Sequence, residues 1–194
     1  MDISDLRVIV RSLKRHIIGS ACKLYRKSDS ESRFDGLNEA CIVSALENIY
    51  EGMGYIVWPE QRIYKGSKEK VDLNVEDPDG YKEIAVEVKV IWDPCDNRLV
   101  PSRVYEFLGD FDKLTGDMVR HFEEKHVIWV GFAREDKLVC SENLAQKYRL
   151  GTLIEVAKKK VAVNTLFVNE TIDISQHCNI KDWSYVHLFG WLLK

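Results

Sequence analysis

The chain has 194 residues, 45% of them apolar and 30% charged, with 28 Lys plus Arg against 31 Asp plus Glu for a formal net charge of −3. That balance excludes disorder as the main state and argues against an indiscriminate polyanion binder. The length allows one domain with a modest appendage, and a core that needs no staples. No apolar run is long enough for a membrane span and no leader pattern opens the chain, which predicts a cytoplasmic protein with no membrane partner. Five cysteines (Cys22, Cys41, Cys95, Cys140 and Cys178) are widely spaced with no C-x-x-C pair, so buried reduced thiols are expected. The five histidines make no metal-binding spacing.

Residues 2–27 read as a helix. Ile3, Leu6, Val10, Leu13, Ile17 and Leu24 form a near-heptad stripe interrupted by Ser20. Arg7, Arg11, Lys14, Arg15, Lys23, Arg26 and Lys27 oppose only Asp2 and Asp5, so this segment is basic while the body is acidic. Such a helix either presents a solvated basic face while its stripe packs on the domain, the commoner case, or faces phosphate or a partner. Residues 28–36 read as a Ser-rich linker, and a helix follows over about Leu37 to Met53, with Gly52 and Gly54 at its end. Tyr55 to Gln61 reads as a strand. Two more strands, near Ile63–Glu76 and over Glu83–Ile91, flank the turn Asp77-Pro78-Asp79-Gly80. An amphipathic helix over about Arg103 to Glu124 follows, lined by Val104, Phe107, Phe111, Leu114, Met118 and Phe122. Then come an apolar strand at His126–Ala133, a helix at about Glu142–Lys159, a strand at Val161–Asn169 and an aromatic tail through Trp183–Leu193. This order predicts a mixed α/β sheet flanked by helices. Three parts are expected: a basic N-terminal helix over 1–30, a core over 35–170, and a C-terminal segment over 171–194 packed on the core or at a dimer interface.

The chemistry concentrates in residues 71–90. Alternation puts Ile84, Val86, Val88 and Val90 on one face of the second hairpin strand, and Ala85, Glu87, Lys89 and Ile91 on the other. In the first strand Val71, Leu73 and Val75 share a face, and Asp72, Asn74 and Glu76 the opposite one. Matching the aliphatic faces leaves two registers. A two-residue turn at Asp79-Gly80 sets Val75 opposite Ile84 and Asp72 opposite Glu87. A turn centred on Pro78-Asp79 sets Asp72 diagonal to Glu87. Either brings the carboxylates within roughly 4.5–8 Å of each other, on the face that carries Lys89. Opposed like charges are kept where solvent or a cation separates them. Two carboxylates, a backbone carbonyl and waters are what Mg²⁺ accepts, and a neighbouring lysine can orient or deprotonate a water.

Asp72 followed by Glu87-Val88-Lys89 resembles the motif of the PD-(D/E)XK nuclease superfamily, the restriction-endonuclease-like fold. The resemblance departs at Val71, where the motif has proline, and covers about residues 35–170. It implies a Mg²⁺-dependent endonuclease, with Mn²⁺ as a substitute, that hydrolyses DNA through a metal-activated water. Asp72, Glu87 and the carbonyl of Val88 are its implied metal ligands and Lys89 its active lysine. Glu39, at the start of the preceding helix, is the implied acidic residue there, with Glu47 a weaker candidate. Gln61 is a further candidate to face the site. DNA is the expected partner. A homodimer joined through the helical stripe or through the 183–193 segment is also expected, because cutting both strands needs two copies. No phosphate-binding G-x-x-x-x-G-K-[ST] loop is present, so no nucleotide cofactor is expected. The alternatives are a non-catalytic nucleic-acid-binding or oligomerisation module on the same scaffold, or an RNA- or junction-specific nuclease.

Overall fold

The computed structural model describes residues 3–27, 37–61, 70–92, 109, 112–115, 122–133, 166–177 and 185–193. Two helices, α1 (Ile3–Lys27) and α2 (Glu39–Gly52), precede six strands. The strands are β1 (Ile56–Pro59), β2 (Leu73–Glu76), β3 (Glu83–Trp92), β4 (Glu124–Ala133), β5 (Leu166–Asp173) and β6 (Tyr185–Leu193), with a 3₁₀ turn at Ile174–Gln176 before β6. They form one mixed sheet in the order β1-β2-β3-β4-β6-β5, in which only β3 and β4 run parallel. The α/β architecture agrees with the sequence reading. The sequence helix over 142–159, the linker over 28–36 and residues 161–165 lie outside the described residues; of the helix expected over about 103–124, residues 109 and 112–115 are helical, and its expected end is corrected because Glu124 opens β4.

Local chemistry explains the ends of α2. Asn38 caps it, its side-chain oxygen accepting the Cys41 N–H at 3.0 Å. At the other end Gly54 takes a left-handed φ of 92°, and the N–H groups of Gly54 and Tyr55 return to the carbonyls of Glu51 and Tyr50. That is a Schellman closure, and it needs a residue without Cβ at Gly54.

Both helices cover one face of the sheet. Ile84, Val86 and Val88 of β3 meet Ile128, Val130 and Phe132 of β4 and the buried sides of α1 and α2 in a single core. Along α1 the buried residues are Leu6, Ile9, Val10, Leu13, Ile17 and Ala21. The stripe is thus wider than a heptad seam and continues past Ser20. It is used inside the chain, against α2, β5 and β6, and is not a free dimer seam. Each fully buried aliphatic chain contributes roughly 1.5–3 kcal/mol. Arg7, Arg11 and Arg15 stay exposed on the outer side, and Lys14 reaches Glu170 of β5 at 3.1 Å.

α1 crosses β6 at Gly190, where a Cβ would stand 3.0 Å from Val10 Cγ2 and 3.1 Å from Leu6 Cδ1. The aromatic tail enters the sheet as β6, between β4 and β5, rather than lying on it. Its residues from Val186 to Leu193 are all buried. Trp191 meets Trp129 of β4 on the face away from α1, with ring centroids 4.4 Å apart. The two described cysteines are free: Cys22 is half-buried and Cys41 exposed, so neither is the buried thiol expected from sequence. No helix among the described residues is long and apolar enough to cross a membrane.

Candidate functional site

The site is built where β2 parts from β3. The hairpin pairs Val75 with Ile84 and Leu73 with Val86, so the next residues, Asp72 and Glu87, stand level with each other. This is the register expected of a two-residue turn, reached by a wider loop. The ladder continues to Asp77 N–H and the Lys82 carbonyl, and Gly80 N–H returns to the Asp77 carbonyl across Pro78-Asp79. Gly80 has a φ of 72°, which suits glycine. The turn is therefore the one centred on Pro78-Asp79, combined with the register of the other alternative.

Before Leu73 the chain swings toward β1. Val71 N–H bonds the Gln61 carbonyl at 3.2 Å, and Glu60 N–H bonds the Asp72 carbonyl at 3.0 Å. Glu60 holds a left-handed φ of 51°, a kink that costs a non-glycine residue energy, and it lies just past the edge strand β1. Beyond Val86, β3 loses its backbone partner on that side, and two carboxylates take over. Asp72 Oδ2 accepts Val88 N–H at 2.6 Å, and Glu39 Oε2 accepts Val90 N–H at 3.5 Å. In a strand the N–H and C=O of one residue point the same way. The Val88 carbonyl therefore points to the side where Asp72 sits.

The remaining groups gather around this opening. Lys89 Nζ lies 3.5 Å from Glu39 Oε2, which reaches it from the first turn of α2. The Glu87 side chain is only 4% exposed, with Lys113 Nζ 3.8 Å from its Oε2. Burial pushes the Asp72 carboxyl above the usual carboxylate range. The nearby Glu39 adds to that rise, while the Val88 N–H, Lys113 and Lys89 oppose it. Glu39, Asp72, Glu87, Val88 and Lys89 therefore share one opening. Gln61 is exposed and level with Val71, not with Asp72. Glu47 is half-buried farther along α2.

The donor set fits a hard divalent cation. Asp72, Glu87 and the Val88 carbonyl supply oxygens of the kind Mg²⁺ takes together with several waters. Among the described residues no three acidic, histidine or cysteine side chains converge to hold a metal by themselves. Waters and the backbone carbonyl would have to complete the set, and Lys113 beside Glu87 would have to yield to an ion.

Sequence reasoning missed two things here. Lys113, on the crossover between β3 and β4, has no motif spacing to reveal it. A buried polar chain on the other sheet face was also missed: Tyr50 of α2 hydrogen-bonds His126 Nδ1 of β4 at 2.6 Å, both fully buried. His126 Nε2 lies 3.7 Å from Glu124 Oε2, and Lys82 Nζ lies 2.6 Å from Glu124 Oε1. Burial pushes the His126 imidazole below its ordinary range and the Tyr50 hydroxyl far above its own. Burial also raises the Glu124 carboxyl, but the His126 and Lys82 partners outweigh it and hold it low.

Compared with known proteins, the sequence matches no family model and no curated protein.

Proposed function

We propose that this chain is a Mg²⁺-dependent endonuclease of the PD-(D/E)XK type that hydrolyses DNA phosphodiester bonds. The observation that carries the reading is the opposition of Asp72 and Glu87 where β2 leaves β3, with Lys89 two residues on and Glu39 beside it. The order α2, β1–β2–β3, crossover and parallel β4 is the order the family's core has, which supports the finer fold assignment. A bound Mg²⁺ would lower the pKa of a water and offset charge growing on the phosphate. Asp72, Glu87 and the Val88 carbonyl would hold the ion. Lys89 orients the attacking water, and Glu39 holds the Lys89 ammonium in place and would serve as an outer ligand. The water oxygen bonds to phosphorus as the bond from phosphorus to the leaving oxygen breaks; one water proton leaves to solvent and the leaving oxygen takes one up. The products are a phosphate monoester and a free hydroxyl.

Purified protein with Mg²⁺ or Mn²⁺ is expected to nick or cut plasmid DNA. Asp72→Ala and Lys89→Ala are each expected to abolish cutting. Wild-type cutting by Lys89→Ala refutes the assignment.

One observation favours a second reading, a non-catalytic nucleic-acid-binding module on the same scaffold. Lys89 and Lys113 stand 3.5 and 3.8 Å from Glu39 and Glu87, so protein cations offset those two carboxylates. This reading expects no cutting and no Mn²⁺-dependent rise in melting temperature.

A further inference from the structure

Lys113 enters the site from outside the motif. It lies in the helical stretch 112–115 of the crossover, next to Leu114, which is fully buried and fixes that stretch on the domain. Its ammonium is 3.8 Å from Glu87 Oε2 and also acts on Asp72, so it sits over the two opposed carboxylates. Lys89, by contrast, leans to Glu39. The two lysines reach the opening from different elements. A separation of 3.8 Å is longer than a hydrogen bond, and the Lys113 side chain is about one-third exposed. The contact is loose, on a flexible four-carbon stem that can reach elsewhere.

Charge arithmetic gives that freedom a purpose. In formal charges, with every carboxyl ionised as a bound cation requires, Glu39, Asp72 and Glu87 carry −3 and Lys89 and Lys113 +2, leaving −1 among these described groups. One divalent cation and one phosphodiester together add +1, and the loaded site becomes neutral. Without Lys113 the loaded site would carry −1 while the phosphate gains charge, the wrong sign for stabilising it.

We propose that Lys113 is a phosphate-contacting residue of this site. It acts as counter-ion to Glu87 while no metal is bound, and transfers to a non-bridging oxygen of the scissile phosphate once metal and DNA occupy the opening. This rests on the nuclease reading and adds a group that the motif does not contain.

The test uses the full chain with Lys113→Met, Lys113→Arg and Lys89→Met. Cutting by the wild type and none by Lys89→Met keep the nuclease reading. Lys113→Met is then expected to slow cutting by about 10²-fold. Its Mn²⁺-induced rise in melting temperature is expected to be at least as large as that of the wild type, since a competing cation is gone. Binding to a DNA duplex in Ca²⁺ is read against salt. The slope of log affinity against log salt is expected to fall by about one for Lys113→Met and to stay near wild type for Lys113→Arg. Wild-type cutting by Lys113→Met overturns the proposal. So does loss of the Mn²⁺ shift, which would make Lys113 a structural support of the ligands. If the wild type does not cut, the nuclease reading falls, and the salt slope measured in Ca²⁺ still decides: an unchanged slope for Lys113→Met overturns the phosphate contact.

Discussion

Replacing Asp72 by asparagine separates two roles of its carboxylate. One oxygen accepts the Val88 N–H at 2.6 Å, a bond that an amide oxygen keeps. The negative charge beside Glu39 is a cost in the metal-free fold, and burial has raised the carboxyl's pKa. Relieving a site of this kind returns about 0.5–2 kcal/mol. For a chain of this size each kcal/mol moves the melting temperature by about 2–4 °C. In EDTA at neutral pH, Asp72→Asn is therefore expected to melt about 1–8 °C above the wild type.

Metal reverses the order. A ligand at a hundred times its dissociation constant stabilises by about 2.7 kcal/mol. Saturating Mn²⁺ is expected to raise the wild type by about 5–10 °C and to leave Asp72→Asn unmoved. The sign with pH follows from the raised pKa. Asp72 binds its proton more tightly folded than unfolded, so it favours the fold at low pH, and that contribution is lost as pH rises through its folded pKa. The advantage of Asp72→Asn in EDTA thus opens toward neutral pH and closes in acid. The assay is thermal unfolding by circular dichroism, with and without Mn²⁺, across pH. A substitution that lowers the metal-free melting temperature by several degrees, or that keeps the full Mn²⁺ shift, refutes the reasoning.

Three further outcomes do not depend on the nuclease reading. Tyr50→Phe strands the buried His126 Nδ1 and is expected to cost about 1–3 kcal/mol, read by urea unfolding with an unchanged slope; a neutral result removes the Tyr50–His126 bond from the stability account. His126 faces Tyr50, Glu124, Lys82 and Asp5, and its folded pKa lies below its ordinary value of 6.5. Its stabilising effect is whole above that value and is lost as pH falls from there toward the folded pKa. Stability is expected to decline on acidification below about pH 6.5 and to decline less in His126→Gln, while Glu124 acts in a lower window, below 4.5. Gly190→Val drives a branched side chain into Val10 and Leu6 and is expected to cost about 1–3 kcal/mol in the same urea assay. Gly19→Ala, on the exposed side of α1 with nothing within 4 Å of the added Cβ, is the comparison and is expected to stabilise by up to about 1 kcal/mol.

The hairpin was the most legible part of the chain, because a period of two leaves few registers once both aliphatic faces must match. Matching Val71, Leu73 and Val75 to Ile84, Val86 and Val88 leaves two, and the structure takes the one with Val75 opposite Ile84 and Asp72 level with Glu87. The turn was less legible, since Pro78, Asp79 and Gly80 suit two closures that differ only in where the last ladder bond falls. β6 was read as an appended segment because a strand buried on both faces lacks alternation, and a run such as Val186-His187-Leu188-Phe189 looks like generic core. Lys113 and the Tyr50–His126 bond arise from residues brought together by the crossover and by the packing of α2 on β4. No spacing in the sequence encodes such meetings. Glu39 was reached through the resemblance, and its bond to Val90 N–H gives a reason for it that the helix dipole alone does not.

The crossing of α1 over β6 at Gly190 also sets a timetable. A ribosome releases this helix well before β5 and β6, with Leu6, Ile9, Val10, Leu13 and Ile17 ready to be buried. Much of the surface that buries them is made of the two strands that come last in the described chain. Until β5 and β6 emerge, the newborn chain carries an amphipathic helix without its full seat. That window is long, and such contacts between distant segments close slowly. The exposed Arg7, Arg11 and Arg15 keep the waiting helix charged and apart from its neighbours.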